Sequence, residues 1–324
     1  MKSLFYLLYS GNCSFCSLYC SSNSVLRYTM AKSLVLITGA SRGIGRAIAL
    51  SIVDACQKEP NIALSLPVHI VLIARSTEKL QETARLVLEK CHNDETKIIT
   101  TSCHELDLSN LDSLPNKMEQ IFHLLNQSTH DQCWLFNNAG SVEPLGAISS
   151  LATSENPSTQ MSELRNSIDL NITSSIWLSA MFTRAFSTPD TSVRIVNISS
   201  LCAIKPFPTM AVYCAGKAAR DMFHMVLSKE ISGRSEGSNR KTTADSNRVT
   251  AKFKTLNYAP GACDTAMTDV LADCPSLDSE LHDYFESSKK ERNLIDPVDS
   301  ARKLIGILVK DDFICGSHVD YWDD

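Results

Sequence analysis

A tyrosine, a lysine and a serine carry the chemistry this sequence suggests. Tyr213 and Lys217 stand four apart in SSLCAIKPFPTMAVYCAGKAARDM, with Ser200 upstream. Four residues apart on a helix is one face. A phenol, an ammonium and a hydroxyl converging on one small volume suit the reduction of a carbonyl, whose oxygen needs a proton once hydride reaches the carbon. A free tyrosine ionises at about pH 10, too high to share its proton readily at neutral pH. A neighbouring ammonium and a nicotinamide cation stabilise the phenolate and lower that value, and Lys217 is spaced to supply the first. Lys217 also suits a bond to the nicotinamide ribose. Ser200 is placed to hold the substrate oxygen beside Tyr213.

Such a reaction needs a hydride donor, and TGASRGIG offers a place for one. Gly39, Gly43 and Gly45, with Ala40, Ser41, Arg42 and Ile44 between them, separate an apolar run from a helical pattern. A tight turn that brings backbone close to a pyrophosphate at a helix N-terminus excludes side chains. The spacing is G-x-x-x-G-x-G rather than G-x-G-x-x-G, but the strand–turn–helix context is the one dinucleotide binding requires. At the end of the second strand an NAD site has an acidic residue for the ribose 2′-hydroxyl. Here Arg75 and Ser76 stand there instead. With Arg42 they suit a 2′-phosphate, so NADP(H) is the expected cofactor. Asp107 and Leu108 end the third strand, where an adenine edge would lie. Asp107 either accepts from the exocyclic amine or caps the helix that follows.

Alternating elements must position these residues. SLVLITG, HIVLIAR, KIITTSCHELD, CWLFNNAG, SVRIVNISS, FKTLNYAPG and HVDYW read as strands. Between them IGRAIALSIVDACQK, TEKLQETARLVLEKC, a stretch from Asn110, one long span from Gln160 to Phe186, Tyr213 to about Ser232, and DPVDSARKLIGILVK read as helices. Apolar strands without alternation, separated by helices, predict an α/β fold: a Rossmann-type, doubly wound parallel sheet in a single domain over residues 31–324. The polar, Gly/Ser-rich stretch 232–248 reads as a flexible insertion.

Length and composition agree. The chain has 324 residues, 44% of them hydrophobic, enough for one large core. A formal net charge of −5 gives no reason to expect nucleic acid or an anionic membrane as a partner. Most of the 12 cysteines sit in apolar runs, as buried thiols do, which points to a reducing, cytoplasmic setting. Cys13, Cys16 and Cys20 cluster without a fourth ligand at zinc-finger spacing, so no metal is expected. Residues 1–30 begin with a short apolar run and then turn polar; with Met30 just before AKSLVLITGA, they read as an extension outside the fold.

TGASRGIG, NNAG, the Ser…Tyr-x-x-x-Lys set and APG occur in the order and spacing of the short-chain dehydrogenase/reductase family. The chain resembles that family from about Lys32 to its C-terminus. The resemblance implies a Rossmann-type domain, hydride transfer from NADPH, and a homodimer formed through the two long helices. It makes Asn171, in DLNIT, the asparagine that holds a water against the lysine, and Asn137, Ala139 and Gly140 a cofactor-side turn. Within the family, NISSLCA, YCAGKAARDM, LNYAPG and HVDYWD are similar to members that reduce the side-chain carbonyls of pterins. That likeness makes Asp320 a substrate anchor, because a pterin offers an amino group and a ring N–H side by side and one carboxylate accepts both. It places Leu201 and Gly261 against the substrate with Ser200 and Tyr213. Cys263, Asp264, Thr265, Ala266, Met267 and Thr268 would wrap the nicotinamide half of the cofactor. The competing expectations are a broad carbonyl or dicarbonyl reductase and a non-catalytic NADP(H) sensor. A general reductase has no need of Asp320, and a sensor has no need of Tyr213 and Lys217.

Overall fold

The computed structural model describes residues 31–58, 64–91, 99–127, 129–153, 155–188, 190–232 and 252–324. The N-terminal extension, its three cysteines, and residues 233–248 of the expected insertion lie outside them.

Seven strands form one sheet: β1 (Ser33–Thr38), β2 (Val68–Ala74), β3 (Ile99–Glu105), β4 (Gln132–Asn137), β5 (Ser192–Ile198), β6 (Phe253–Ala259) and β7 (His318–Asp320). Their order is β3-β2-β1-β4-β5-β6-β7, and every pairing is parallel. All residues of β1 and β2 are buried, so these strands carry apolar side chains on both faces. Val35 and Ile37 join one core with Trp134, Phe136 and Leu304; Leu34 and Leu36 join the opposite core with Phe122, Leu135 and Phe182. Because side chains alternate along a strand, one six-residue strand serves two cores.

The helices cover both faces: α1 (Gly43–Lys58), α2 (Thr77–Cys91), α3 (Leu114–Leu125), α4 (Pro157–Ile168), α5 (Ser174–Phe186), α6 (Ala211–Ser232), α7 (Ala266–Ala272), α8 (Ser279–Glu291) and α9 (Pro297–Lys310). Several elements differ from expectation: the short α7 is an added helix, and β3 ends at Glu105, so Asp107 and Leu108 lie in the turn beyond it. The span expected as one helix from Gln160 is α4 and α5 joined by a single wide π turn, Asp169–Thr173. It begins earlier, at Pro157, whose fixed φ suits a first helical position. The helix expected from Asn110 begins at Leu114, with proline in its first turn. The polar helix α8 was absent from the sequence reading; the Asp278 carboxylate opens it by accepting from the N–H groups of Glu280 and Leu281.

The strand order reverses between β1 and β4. In a doubly wound sheet this opens a crevice at the carboxyl ends of the strands, where ligands bind. The ends of β1, β2, β4, β5, β6 and β7 carry Gly39, Arg75, Asn138, Ser199, Pro260 and Tyr321, so the expected site residues gather on one edge. Among the described residues no helix is long and apolar enough to cross a membrane.

Candidate active site

The glycine turn leaves β1 with Gly39 at φ 66° and Gly43 at φ 53°, the left-handed region that glycine enters without strain. A side chain at Gly45 would collide with the Gly39 carbonyl, so α1 packs directly on the strand end. The turn is braced from behind. Arg46 donates to the Ser41 carbonyl at 2.7 Å and to the Thr83 hydroxyl at 3.0 Å, and Thr83 donates to the Ala40 carbonyl at 3.0 Å. The Thr38 hydroxyl accepts the N–H groups of Asn138 and Ala139 at 2.9 and 3.0 Å, and the Asn138 amide donates to the Thr38 carbonyl at 2.9 Å. NNAG and the glycine turn are thus one stitched unit. Asn138, absent from the sequence reading, does most of the stitching. Asn137 is buried instead and its amide donates to Ser179 at 2.7 Å, so it supports the turn from below rather than lining it.

This unit fits a nicotinamide dinucleotide. It presents side-chain-free backbone at the N-terminus of the 16-residue helix α1. Arg42 and Arg75 are exposed, and among the described residues neither side chain has a hydrogen-bond or ion-pair partner. Ser76 accepts the Lys79 N–H at the start of α2. Asp107 accepts the Ser109 N–H at 3.0 Å and its hydroxyl at 2.7 Å, a local turn rather than a cap on α3.

Ser200 follows β5 and accepts the Cys202 N–H at 3.2 Å, which opens the short turn Leu201–Ala203. Tyr213 and Lys217, on the first turns of α6, are only 6% and 4% exposed, so Lys217 is no solvated helix residue. The Lys217 ammonium donates to the Ile198 carbonyl at 2.6 Å and sits 5.4 Å from the centre of the Tyr213 ring. The Tyr213 hydroxyl faces the Met267 sulfur at 3.9 Å. Here the electrostatics depart from the expectation that the ammonium lowers the phenol. Burial, with Cys202 adding to it, raises Tyr213 above its ordinary range, while the Arg220 charge and a Ser200 hydrogen bond pull the other way. Burial, then the Arg220 charge, hold Lys217 well below its usual value, against Asp221. Tyr213 therefore keeps its proton through neutral pH, the state a proton donor needs.

Asn171 lies in the π turn. Its amide carbonyl accepts the Ser141 N–H at 3.0 Å and its amide N–H groups donate to the Ser141 carbonyl at 3.0 Å and to Ser167. Gly140 gives it room, since a Cβ there would lie 2.9 Å from the Asn171 oxygen. Among the described residues no direct hydrogen bond joins Asn171 to Lys217; the Asn171 side chain holds the turn after β4 through Ser141.

The segment after β6 closes over the glycine turn: a Cβ on Gly43 would come within 3.2 Å of the Thr265 methyl. Thr268 accepts the Thr265 N–H at 3.0 Å and donates to the Cys263 carbonyl at 2.9 Å. Cys263 is buried, Asp264 exposed, and Ala266 and Met267 open α7. Gly261, at φ 73°, packs against Ile295, Tyr321 and Trp322. Asp320 pairs with Ala259 across β6 and β7, is half-buried, and accepts the Trp322 N–H at 3.0 Å. It is the last residue of β7, next to the Tyr321 and Trp322 that pack on Gly261.

Under this site lies a buried polar group that the sequence reading passed over: Arg220 and Asp221 of α6 with Asn197, Ser199, Asn257 and His318. A signal for it existed. Tyr213, Lys217 and Arg220 are spaced four and three apart, which puts the arginine on the helix face of Tyr213 and Lys217.

The family described as short chain dehydrogenase matches residues 33–235. This chain belongs to the short-chain dehydrogenase family. It is therefore an oxidoreductase on a fold that binds a nicotinamide cofactor. Sepiapterin reductase of Rattus norvegicus is 33% identical over 294 residues, covering 90% of this chain and 97% of that protein. A benzil reductase of Bacillus subtilis that forms (S)-benzoin is 25% identical over 277 residues, covering 86% and 93%. Among solved structures, NAD+-bound xylitol dehydrogenase superposes with a TM-score of 0.65 at 16% identity over 90% of this chain and 98% of that one. An NADP-bound 2-deoxy-D-gluconate 3-dehydrogenase homologue from Agrobacterium tumefaciens gives 0.62 at 19% over 91% and 96%. These two share the short-chain dehydrogenase fold but carry different dinucleotides, so the fold leaves the choice of cofactor to individual side chains.

Proposed function

We propose that this protein reduces side-chain carbonyls of pterins with NADPH, the chemistry of a sepiapterin reductase in tetrahydrobiopterin formation. The observation that carries the reading is Asp320, a half-buried carboxylate at the carboxyl end of β7, paired with Ala259 and one residue before Tyr321, which packs on Gly261; Ser200 follows the carboxyl end of β5 on the same side of the sheet. One carboxylate accepting two adjacent N–H donors suits a pterin ring, and the extended likeness to sepiapterin reductases supports it. Arg42 and Arg75, which have no partner among the described residues, favour NADPH, since a 2′-phosphate would pair them.

When bound, the cofactor supplies hydride to the carbonyl carbon. The chain does the rest. Backbone of the glycine turn would hold the pyrophosphate, Lys217 the nicotinamide ribose, and the segment Cys263–Thr268 the nicotinamide half. Ser200 holds the carbonyl oxygen, and Tyr213 donates its proton there as charge develops. Lys217 then offsets the charge left on the phenolate.

A broader dicarbonyl reductase is the second reading, favoured by the benzil reductase relatives. Asp320→Ala separates the two. It removes a charge-assisted acceptor worth about 1.5–3 kcal/mol per bond. Reduction of sepiapterin should drop at least tenfold, while a small diketone that does not reach Asp320 reacts as before. Equal losses for both substrates would leave Asp320 a structural role and favour the broader reading.

A further inference from the structure

Arg220 is 1% exposed, yet its guanidinium touches no carboxylate: among the described residues it makes no ion pair. Its donors go to the Asn197 side-chain oxygen at 2.6 Å, to the Ala139 carbonyl at 3.0 Å and to the Asn137 carbonyl. A buried cation held by dipoles alone is unfavourable unless its neighbours are arranged around it. Here they are. Asn197 is locked with its oxygen toward Arg220, because its amide nitrogen donates to Asp221 at 2.8 Å and to Asn257 at 2.9 Å. Asp221 is itself fixed by the Ser199 hydroxyl at 2.6 Å and by the His318 ring N–H at 2.6 Å.

The two carbonyls belong to the turn that Thr38 and Asn138 stitch to the glycine turn. Gly140 completes the junction: a Cβ there would meet the Asn171 oxygen at 2.9 Å and the Arg220 guanidinium at 3.9 Å. Arg220 thus joins three parts: the cofactor-side turn, the strand end that leads to Ser200, and the helix that carries Tyr213 and Lys217.

We propose that Arg220 is a positioning residue for hydride transfer, a buried cation that locks the Asn137–Ala139 turn to the catalytic helix and sets a fixed positive charge behind Tyr213 and Lys217. This rests on the family's chemistry and not on the pterin reading. The groups that face Tyr213 are Cys202 from the turn after β5 and Cys214, Lys217 and Arg220 from α6, with the uncharged Met267 from α7. Those that face Arg220 are Tyr213, Lys217, Asp221 and His224; the last donates to the Arg220 carbonyl at 2.7 Å and stays neutral, its pKa lowered to about 4 by burial. Removing the cation strengthens proton binding at Tyr213 and Lys217 alike, so the titrations of this coupled pair move upward together.

The test compares Arg220→Met and Arg220→Lys in the full chain with the parent protein. It uses whichever of sepiapterin or a small diketone the parent reduces, and the pH profile of kcat is recorded. Displacing the turn should lower kcat of Arg220→Met on the order of ten- to a hundredfold. Both limbs of its profile should move up by about half a pH unit or more. Arg220→Lys keeps the charge but not the fork, so its limbs stay in place while its rate falls between the other two. If Arg220→Met fails to fold, Arg220→Gln, which keeps an N–H donor toward the turn, makes the same comparison. Unmoved limbs in the uncharged variant, or a loss confined to melting temperature, would overturn the proposal.

Discussion

Tyr213, Lys217 and Ser200 were legible as residue types at fixed spacing, and the structure gathers them near the carboxyl end of β5. The balance of charge among them was not legible, because desolvation depends on what the surrounding chain excludes. Lys217 is buried at a strand end, and Arg220, which shares its helix face by spacing, adds a second cation whose burial spacing does not reveal. Replacing Tyr213 with Phe removes the hydroxyl and keeps the ring. NADPH should then bind as before, measured by fluorescence titration, while turnover falls by about a hundred- to ten-thousandfold. Loss of binding together with turnover would show a structural role for the hydroxyl. Arg75 is the second residue-scale test. Arg75→Asp should repel a 2′-phosphate and offer an acceptor to a ribose hydroxyl, so kcat/KM with NADPH should fall at least tenfold more than with NADH. Equal changes would remove Arg75 as the selector.

At the scale of elements, the buried strands were readable because parallel strands covered on both faces are apolar throughout. The π turn in the α4–α5 span was not, since nothing in DLNIT marks a widened turn; in the fold that turn carries Asn171, which bonds the Ser141 backbone. Nor was α8, whose polar composition hides its period and whose start rests on a single aspartate cap. The long helices leave apolar side chains exposed: Met161, Ile168 and Trp177 on α4 and α5, and Met222, Met225 and Val226 on α6. A second copy of the chain would cover such surface. Sedimentation at micromolar concentration should give a dimer or a pair of dimers, and Trp177→Glu combined with Met222→Glu should shift it toward monomer. A monomeric parent protein would contradict this use of the helices.

For the molecule as a whole, two histidines set opposing pH dependences. The Asp221 hydrogen bond, against partial burial, raises His318, so its contribution is complete below the unfolded value of about 6.5 and is lost as pH climbs through the folded value. His224, lowered to about 4 by burial, stays neutral in the fold while the unfolded chain takes up a proton, so stability falls as pH drops from about 6.5 toward 4. Melting temperature should fall on both sides of about pH 6.5, and His318→Gln should flatten the alkaline side. An unchanged alkaline slope would show that His318 is not its source. The single sheet, its switch point and the shared strand edge were foreseeable from the alternation of elements. The buried polar group beneath them was not, since it joins α6 to β5, β6 and β7 through residues far apart in sequence. What the whole assembly does is tested most directly by the intact protein. Its kcat/KM for sepiapterin should be measured with NADPH and with NADH, beside a small diketone under the same conditions. Sepiapterin with NADPH should exceed every other combination at least tenfold; an equal or greater value for the diketone, or for NADH, would rule out an NADPH-dependent pterin reductase.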